Sequence, residues 1–523
     1  MVVFNPAIRF EEVSMQMVAD YLGGGGVPNW LQEFVLPGGS QMTFRNIKFN
    51  TDIIVNSKSI LKFTEVRFEN CHFLLDCQMS IFQQTHFSSC MFDEQHRLVY
   101  NIDRANYNFC HFKKAAKLTS NSRIVSLFIS DCRFEQKLHI ENCKIFECSI
   151  QKSSGTAIVF EDVTIQTKFV FHNIFVEKTQ FHNLKTNCFV SIAGCEMQQL
   201  ALMGGHQSSA FGIEKCNVNT LSLFTDAEAS IAINYCDFAK TSIGINNIRE
   251  LNIISSSFGV FLMDGRLGKD CYVSFLDCKV DDLTFRRLKN MGVIEFNHTV
   301  FNNNVVFESS DLGRTDFVLC FLSGANCSFT NSKFTDLFLA ETEFPEKIFS
   351  NGTVDYLQAQ LVFGQLRTVY EKMGDTAKSL EYHSRELHAQ YMLLKWKSPI
   401  FPYVNFTKLN LALNKLSNDF GRNWARAIVV SILIVGIPLF YLLVLSTTKY
   451  SFGFPLGWNN GFVGSFLKFM NPIRSTDLEK IFDPVGGAIG ITWLTHCIDF
   501  ISRIFLAYCY YQVIQAFRRY GRK

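Results

Sequence analysis

Apolar and polar positions along this chain keep two different periods. Over "ANCSFTNSKFTDLFLAETEF", Ala325–Phe344, large apolar residues stand at Phe329, Phe334, Leu339 and Phe344, every fifth position. A helix repeats every 3.6 residues and a strand every 2, so neither alone counts in fives. Upstream, a triplet of small, variable and large apolar residues recurs. It runs Cys71-His72-Phe73, Cys90-Met91-Phe92, Cys110-His111-Phe112 and Cys132-Arg133-Phe134. After an irregular stretch it resumes as Cys195-Glu196-Met197, Cys216-Asn217-Val218, Cys236-Asp237-Phe238, Ser256-Ser257-Phe258, Cys278-Lys279-Val280, Thr299-Val300-Phe301 and Cys320-Phe321-Leu322. Successive triplets lie 19 to 22 residues apart within each group. A period near 20 is four sides of five residues. Such a coil cannot bury its own inner face, but stacking the next coil at about 4.8 Å buries an apolar column and pairs the backbone in parallel ladders. The first and third residues of each triplet then point inward and the middle one outward. His72, Arg133, Glu196, Asp237 and Lys279 are therefore expected on the surface.

The units Cys327-Ser328-Phe329-Thr330-Asn331, Ser332-Lys333-Phe334-Thr335-Asp336, Leu337-Phe338-Leu339-Ala340-Glu341 and Thr342-Glu343-Phe344 resemble the pentapeptide-repeat family. That resemblance implies a right-handed quadrilateral β-helix. Leu337 departs from the small residue that the family places there. The reading is a mainly β chain: an N-terminal cap over 1–39, then a β-helix solenoid over 40–350.

The period changes after Phe349. Leu357, Leu361, Phe363, Leu366 and Tyr370 form one helical stripe; Leu380, Tyr382, Leu387, Tyr391 and Leu394 form another. Gly374-Asp375 between them is a helix stop followed by a start. The hairpin spans 351–398 and resembles a single tetratricopeptide unit. Its expected role is to cap the open end of the solenoid, where backbone and apolar side chains would otherwise be exposed. An amphipathic juxtamembrane helix over 399–426 follows, with Leu409, Leu413 and Leu416 on one face. Ala427–Leu445 is uncharged over its whole length, close to what a bilayer core needs, with a kink expected at Pro438. Ile491–Phe517 is a second span, in which Asp499 and Arg503 stand i and i+4 and can pair. Residues 427–523 thus read as a two-span transmembrane domain.

Charge orients it. Arg422 and Arg426 precede the first span, and Arg518, Arg519, Arg522 and Lys523 follow the second, which puts both termini in the cytoplasm and the intervening loop outside it. The opening residues lack a basic stretch followed by an apolar one, so no secretory signal is expected. The 17 cysteines are then thiols in a reducing compartment. Small and readily buried, they are read as core packing. No Cys-x-x-Cys and no His-x-x-x-His occurs, so no metal site and no cofactor is expected. A formal net charge of +3 over 523 residues gives no basis for nucleic-acid binding.

The C-terminal segments "LNKLSNDFGRNWARA", "FLKFMNPIRSTDLEKIF" and "IDFISRIFLAYCYYQVIQAFRRYGRK" resemble bacterial membrane-anchored pentapeptide-repeat proteins. That likeness implies a bacterial inner-membrane protein without a defined activity. Two functional classes follow, neither of them enzymatic. In the first, the cytosolic β-helix senses or binds a protein or ligand, and the two-span domain assembles as a homo-oligomer into a pore, in the manner of a defence effector. Its pore-lining or intersubunit candidates are Thr495, His496, Asp499, Ser502, Arg503 and Gln512, with Gly486, Gly487 and Gly490 in the loop. The loop's "PVGGAIG" is not a potassium filter, which needs a run such as Thr-Val-Gly-Tyr-Gly. In the second class the β-helix is a scaffold for protein partners, and the lipid bilayer is only its tether.

Overall fold

The computed structural model describes residues 11–13, 35–38, 41–49, 53–55, 65–79, 84–99, 103–119, 123–204, 210–225, 229–246, 248–322, 324–334, 336–342, 344–350, 353–396, 405–447, 460–474, 477–478 and 491–520. Contacts divide the chain into two units, Met1–Pro345 and Glu346–Lys523.

The first unit is a parallel β-solenoid of about 12 turns. Two sheets run its length, and from Gln41 onward their strands pair in parallel with those of neighbouring turns. The ladder sets like upon like. Phe92 lies opposite Phe73 and Phe112, and Phe296 opposite Phe275 and Phe317. Rings in register stack. Phe49, Phe73, Phe92, Phe112 and Phe134 form one continuous pile with centroids 4.9, 4.7, 4.6 and 4.9 Å apart. Phe44, Phe68, Phe87 and Tyr107 form a second, at 5.2, 5.1 and 5.0 Å. Near-parallel rings at these distances add to simple area burial. Of the expected N-terminal cap, only 11–13 and 35–38 fall among the described residues. Glu11–Val13 pairs with Ile47–Phe49, and Val35–Gly38 folds back antiparallel on Gln41–Phe44.

The triplets fall where the period places them. Cys71 and Phe73 are buried while His72 faces out, and Phe321, the middle residue of its triplet, is 61% exposed. In the last turn, rings of Phe329, Phe334 and Phe344 meet inside at 5.3 to 6.3 Å.

The cysteines do more than fill space. At eight of them the preceding residue turns a corner at positive φ: Asn70, Ser89, Phe109, Asp131, Lys215, Tyr235, Asp277 and Leu319 all lie between 52° and 55°. The inward Sγ then donates two weak hydrogen bonds. One reaches the carbonyl two residues back and the other a carbonyl of the turn before: Cys90 to Ser88 O at 3.4 Å and Phe68 O at 3.3 Å, Cys236 to Asn234 O at 3.2 Å and Ile213 O at 3.5 Å. Ser256, Thr299 and Thr342 occupy the same corner, each bonding the carbonyl two residues back. Thr299 and Thr342 also reach a carbonyl about 24 residues back. At most of these corners the inward residue is small and carries a donor. The irregular stretch of sequence does not break this column. Lys152 and Asn173 keep the positive φ, and Ser153 and Ile174 are buried at the next two corners. At Gly265, with φ +116°, an added Cβ would lie 2.0 Å from Ile245 O, so this turn admits only glycine.

The second unit is helical. Asp355 caps the helix Tyr356–Met373, Gly374 ends it at φ 78°, and Asp375 caps the returning helix Thr376–Leu393. An amphipathic helix, Phe406–Asn418, follows. Among the described residues, two helices are long and apolar enough to cross a membrane, Trp424–Leu445 and Trp493–Gln515. The first contains wide π-helical turns over Val430–Gly436, directly before Pro438. Those turns absorb the ring and the missing N–H that would clash with a regular helix. A short helix, Asn460–Met470, lies between the two in sequence.

Two outcomes test the corner and the stack. Cys236→Ser should hold stability within about 1 kcal/mol of the parent, whereas Cys236→Leu should cost about 1–3 kcal/mol by overpacking, read by urea denaturation. Phe92→Ala should cost about 3–5 kcal/mol, because it opens a hole in a continuous pile. Burial also pushes the Cys278 and Cys320 thiols up to about 11 and Cys327 to about 12, from an ordinary value of 9.0. A raised value in the folded state means stability is fully present below pH 9 and is lost as pH rises through 11 to 12. The urea midpoint of the solenoid should therefore hold to about pH 9 and fall steadily above it.

Candidate functional site

The second long helix is polar on one face and apolar on the other. Thr495, Asp499, Ser502, Leu506, Cys509 and Gln512 recur at steps of three and four and are all buried. Such a stripe is the inner face of a packed helix. Its polar members are held at three levels, each by a different part of the same unit.

The central level is an ion cluster around Asp499. Arg474, from the segment after the short helix, donates from Nε at 3.0 Å and from Nη2 at 2.5 Å to Asp499 Oδ1. The same Nη2 donates to Ser502 Oγ at 2.7 Å, and Ser502 Oγ donates to Asp499 O at 2.7 Å. Arg503 takes the other carboxylate oxygen, Nε to Oδ2 at 2.8 Å, and its Nη1 donates to Arg474 O at 2.8 Å. Arg474 Nη1 also donates to Phe469 O, and its guanidinium lies 4.4 Å from the centre of the Phe469 ring. The Arg474 and Asp499 side chains are only 4% and 9% exposed. Buried charges are tolerable when every lone pair and proton is engaged, and this network engages both carboxylate oxygens.

One end is held by Ser446, at the close of the first long helix. Its carbonyl accepts from Thr492 Oγ1 at 3.2 Å and Thr495 Oγ1 at 3.0 Å. The other end is held by Asn418, on the amphipathic helix. Asn418 Nδ2 donates to Gln512 Oε1 at 2.7 Å, while its Oδ1 accepts from Gly421 N at 2.9 Å. That second bond ties down a turn in which Asp419, Phe420 and Gly421 all have positive φ. Between these levels, Phe440, Leu443, Phe469, Met470, Leu478 and Leu506 form the apolar core. Gly436 lets the short helix come close: a Cβ there would lie 2.6 Å from Met470 Sδ.

Of the residues singled out from the sequence, Thr495, Asp499, Ser502, Arg503 and Gln512 are brought together on this face. His496 is exposed and joins none of these contacts. Gly486, Gly487 and Gly490 lie outside the described residues. Sequence reasoning missed Arg474, Asn418 and Ser446. Arg474 follows Asn471-Pro472 without periodicity, among other charges such as Lys468, Asp477, Glu479 and Lys480, so nothing in the spacing singled it out.

Removing Asp499 leaves Arg474 buried without its carboxylate, and removing Arg474 leaves Asp499 Oδ1 without its main partner. Asp499→Leu and Arg474→Met should each destabilise the helical unit by about 3–5 kcal/mol, and the double substitution should recover most of that loss. Thermal unfolding of the purified chain in detergent reads this; additive losses in the double variant would show that the two groups are not coupled.

No family model, no curated protein and no solved structure matches this chain.

Proposed function

We propose that this chain is a membrane-anchored, non-enzymatic β-solenoid. Its repeat unit offers a long rigid surface to a protein or ligand partner, and its helical unit is the anchor. One observation carries the reading: the two long helices turn Ser431, Thr495, Asp499, Ser502 and Gln512 inward, and many of their large apolar residues outward. Leu433, Ile434, Ile437 and Leu442 on the first, and Phe500, Ile501, Ile504, Phe505 and Ile514 on the second, are all exposed. So extended an apolar surface is unfavourable in water and suits lipid. Helices of 22 and 23 residues measure about 33–35 Å, enough to cross a hydrocarbon core of about 30 Å. Trp424 and Trp493, both exposed, begin the two helices, where interfacial aromatic residues are favoured. The basic flanks at Arg422 and Arg426 support cytoplasmic termini.

A pore is the second reading, and the short helix Asn460–Met470 favours it. Phe469 and Met470 join one core with Phe440 and Leu443 of the first long helix and Leu506 of the second, in the outline of a minimal channel. Several copies would then have to surround an axis, with Arg503, the least buried member of the ion cluster, nearest to it.

Two measurements separate these readings. The chain should remain with the membrane pellet through an alkaline carbonate wash; its release would overturn the anchor. In planar bilayers the purified chain should carry no current. Reproducible unitary currents altered by Arg503→Glu would overturn the scaffold in favour of the pore.

A further inference from the structure

Several outward imidazoles of the solenoid meet a carboxylate on a neighbouring turn. His72 Nε2 lies 2.9 Å from Asp93 Oδ2, His86 Nε2 3.2 Å from Glu65 Oε1, and His111 Nε2 2.8 Å from Glu135 Oε1. Cross-turn pairing of this kind is ordinary surface electrostatics. His139 differs, because two carboxylates converge on it. Its Nε2 is 3.0 Å from Glu161 Oε2, and its Nδ1 is 3.5 Å from Glu141 Oε2. One nitrogen of His139 and one oxygen from each glutamate all lie within 4.8 Å of one another.

The ladder itself builds this arrangement. His139 and Glu141 are two apart on the strand Arg133–Glu141, so they share a face. Glu161 lies directly opposite Glu141 on the next strand of the same sheet. The three donors are therefore fixed on rigid backbone at the stacking distance, with no loop to order. His139 and Glu141 are sheltered, with side chains 13% and 19% exposed, and Glu161 opens to solvent at 50%. The residue opposite His139 on that next strand is Val159, which is buried. Lys117 Nζ sits 2.7 Å from Glu141 Oε1 and leaves Oε2 facing the imidazole. The two carboxylates outweigh the one ammonium by a negative charge, which suits a dication.

We propose that His139, Glu141 and Glu161 form a binding site for a transition-metal dication of the zinc type, held by one imidazole nitrogen and two carboxylate oxygens. Three protein donors leave a fourth position for water. The imidazole favours zinc-like ions over magnesium or calcium, which take oxygen donors.

The test is Zn²⁺ titration of the purified full-length chain against a chromophoric chelator, with His139→Ala and Glu161→Gln alongside. Wild type should hold one tight equivalent that millimolar Mg²⁺ does not displace, and each variant should bind at least ~10-fold more weakly. A Co²⁺-loaded sample should show no sulfur-to-metal charge-transfer band, which excludes the cysteines as the ligands. Equal Zn²⁺ binding by wild type and both variants, or a thiolate band, overturns the site. Wild type that binds no ion overturns it equally. Circular dichroism in chelator checks the fold; if His139→Ala fails that check, the solvent-facing Glu161→Gln decides alone.

Discussion

Each turn of the solenoid must return to the register of the turn before it, and the rest of that unit depends on this constraint. Parallel pairing at one strand spacing leaves no freedom to slide, since a slip of one residue would send every inward ring outward. Register is fixed at the corners. A residue at positive φ reverses the chain, and the next side chain points in and bonds a carbonyl of the turn before, as at Cys90 and Cys236. With corners aligned, the phenylalanines between them pile ring on ring. The same register that stacks Phe on Phe inside stacks His139, Glu141 and Glu161 outside. Surface chemistry on a solenoid is inherited from the ladder.

The helical unit obeys a different constraint: a polar group removed from water must find a partner. The second long helix carries four such residues on its inner face, and three separate elements reach in to meet them, Ser446, Arg474 and Asn418. These contacts lie at well-separated heights along one helix, so they set its rotation and its depth against its neighbours. Apolar packing alone would specify neither so tightly, because Leu and Phe surfaces tolerate sliding. On this view the charges within the apolar segment hold its parts in place.

Much of the solenoid was legible because its pattern is local and repeated. The triplets gave the inward and outward positions directly, down to an exposed Phe321 between a buried Cys320 and Leu322. The role of the cysteines was only half legible. Cys was read as a small apolar residue, yet Ser256 and Thr299 at equivalent positions already pointed to a shared donor. The turns at Ser153 and Ile174 escaped the pattern because the corner is a backbone feature, and a buried isoleucine can fill it without a donor. In the helical unit Gly374-Asp375 was legible as a boundary, since capping is a contact between neighbours in sequence.

The sequence by itself determined the period, the inner and outer faces, the two apolar helices and the Asp499–Arg503 pair, which stands one helical turn apart. All of these are short-range, so spacing carries them. Only the tertiary structure decided that Arg474, 25 residues from Asp499, completes the ion cluster, that Asn418, 94 residues from Gln512, anchors the other end, and that Glu161 joins His139 and Glu141. Those partners meet through helix packing and sheet register. No periodicity marks them, because the chain between them carries no trace of which distant residue will stand opposite.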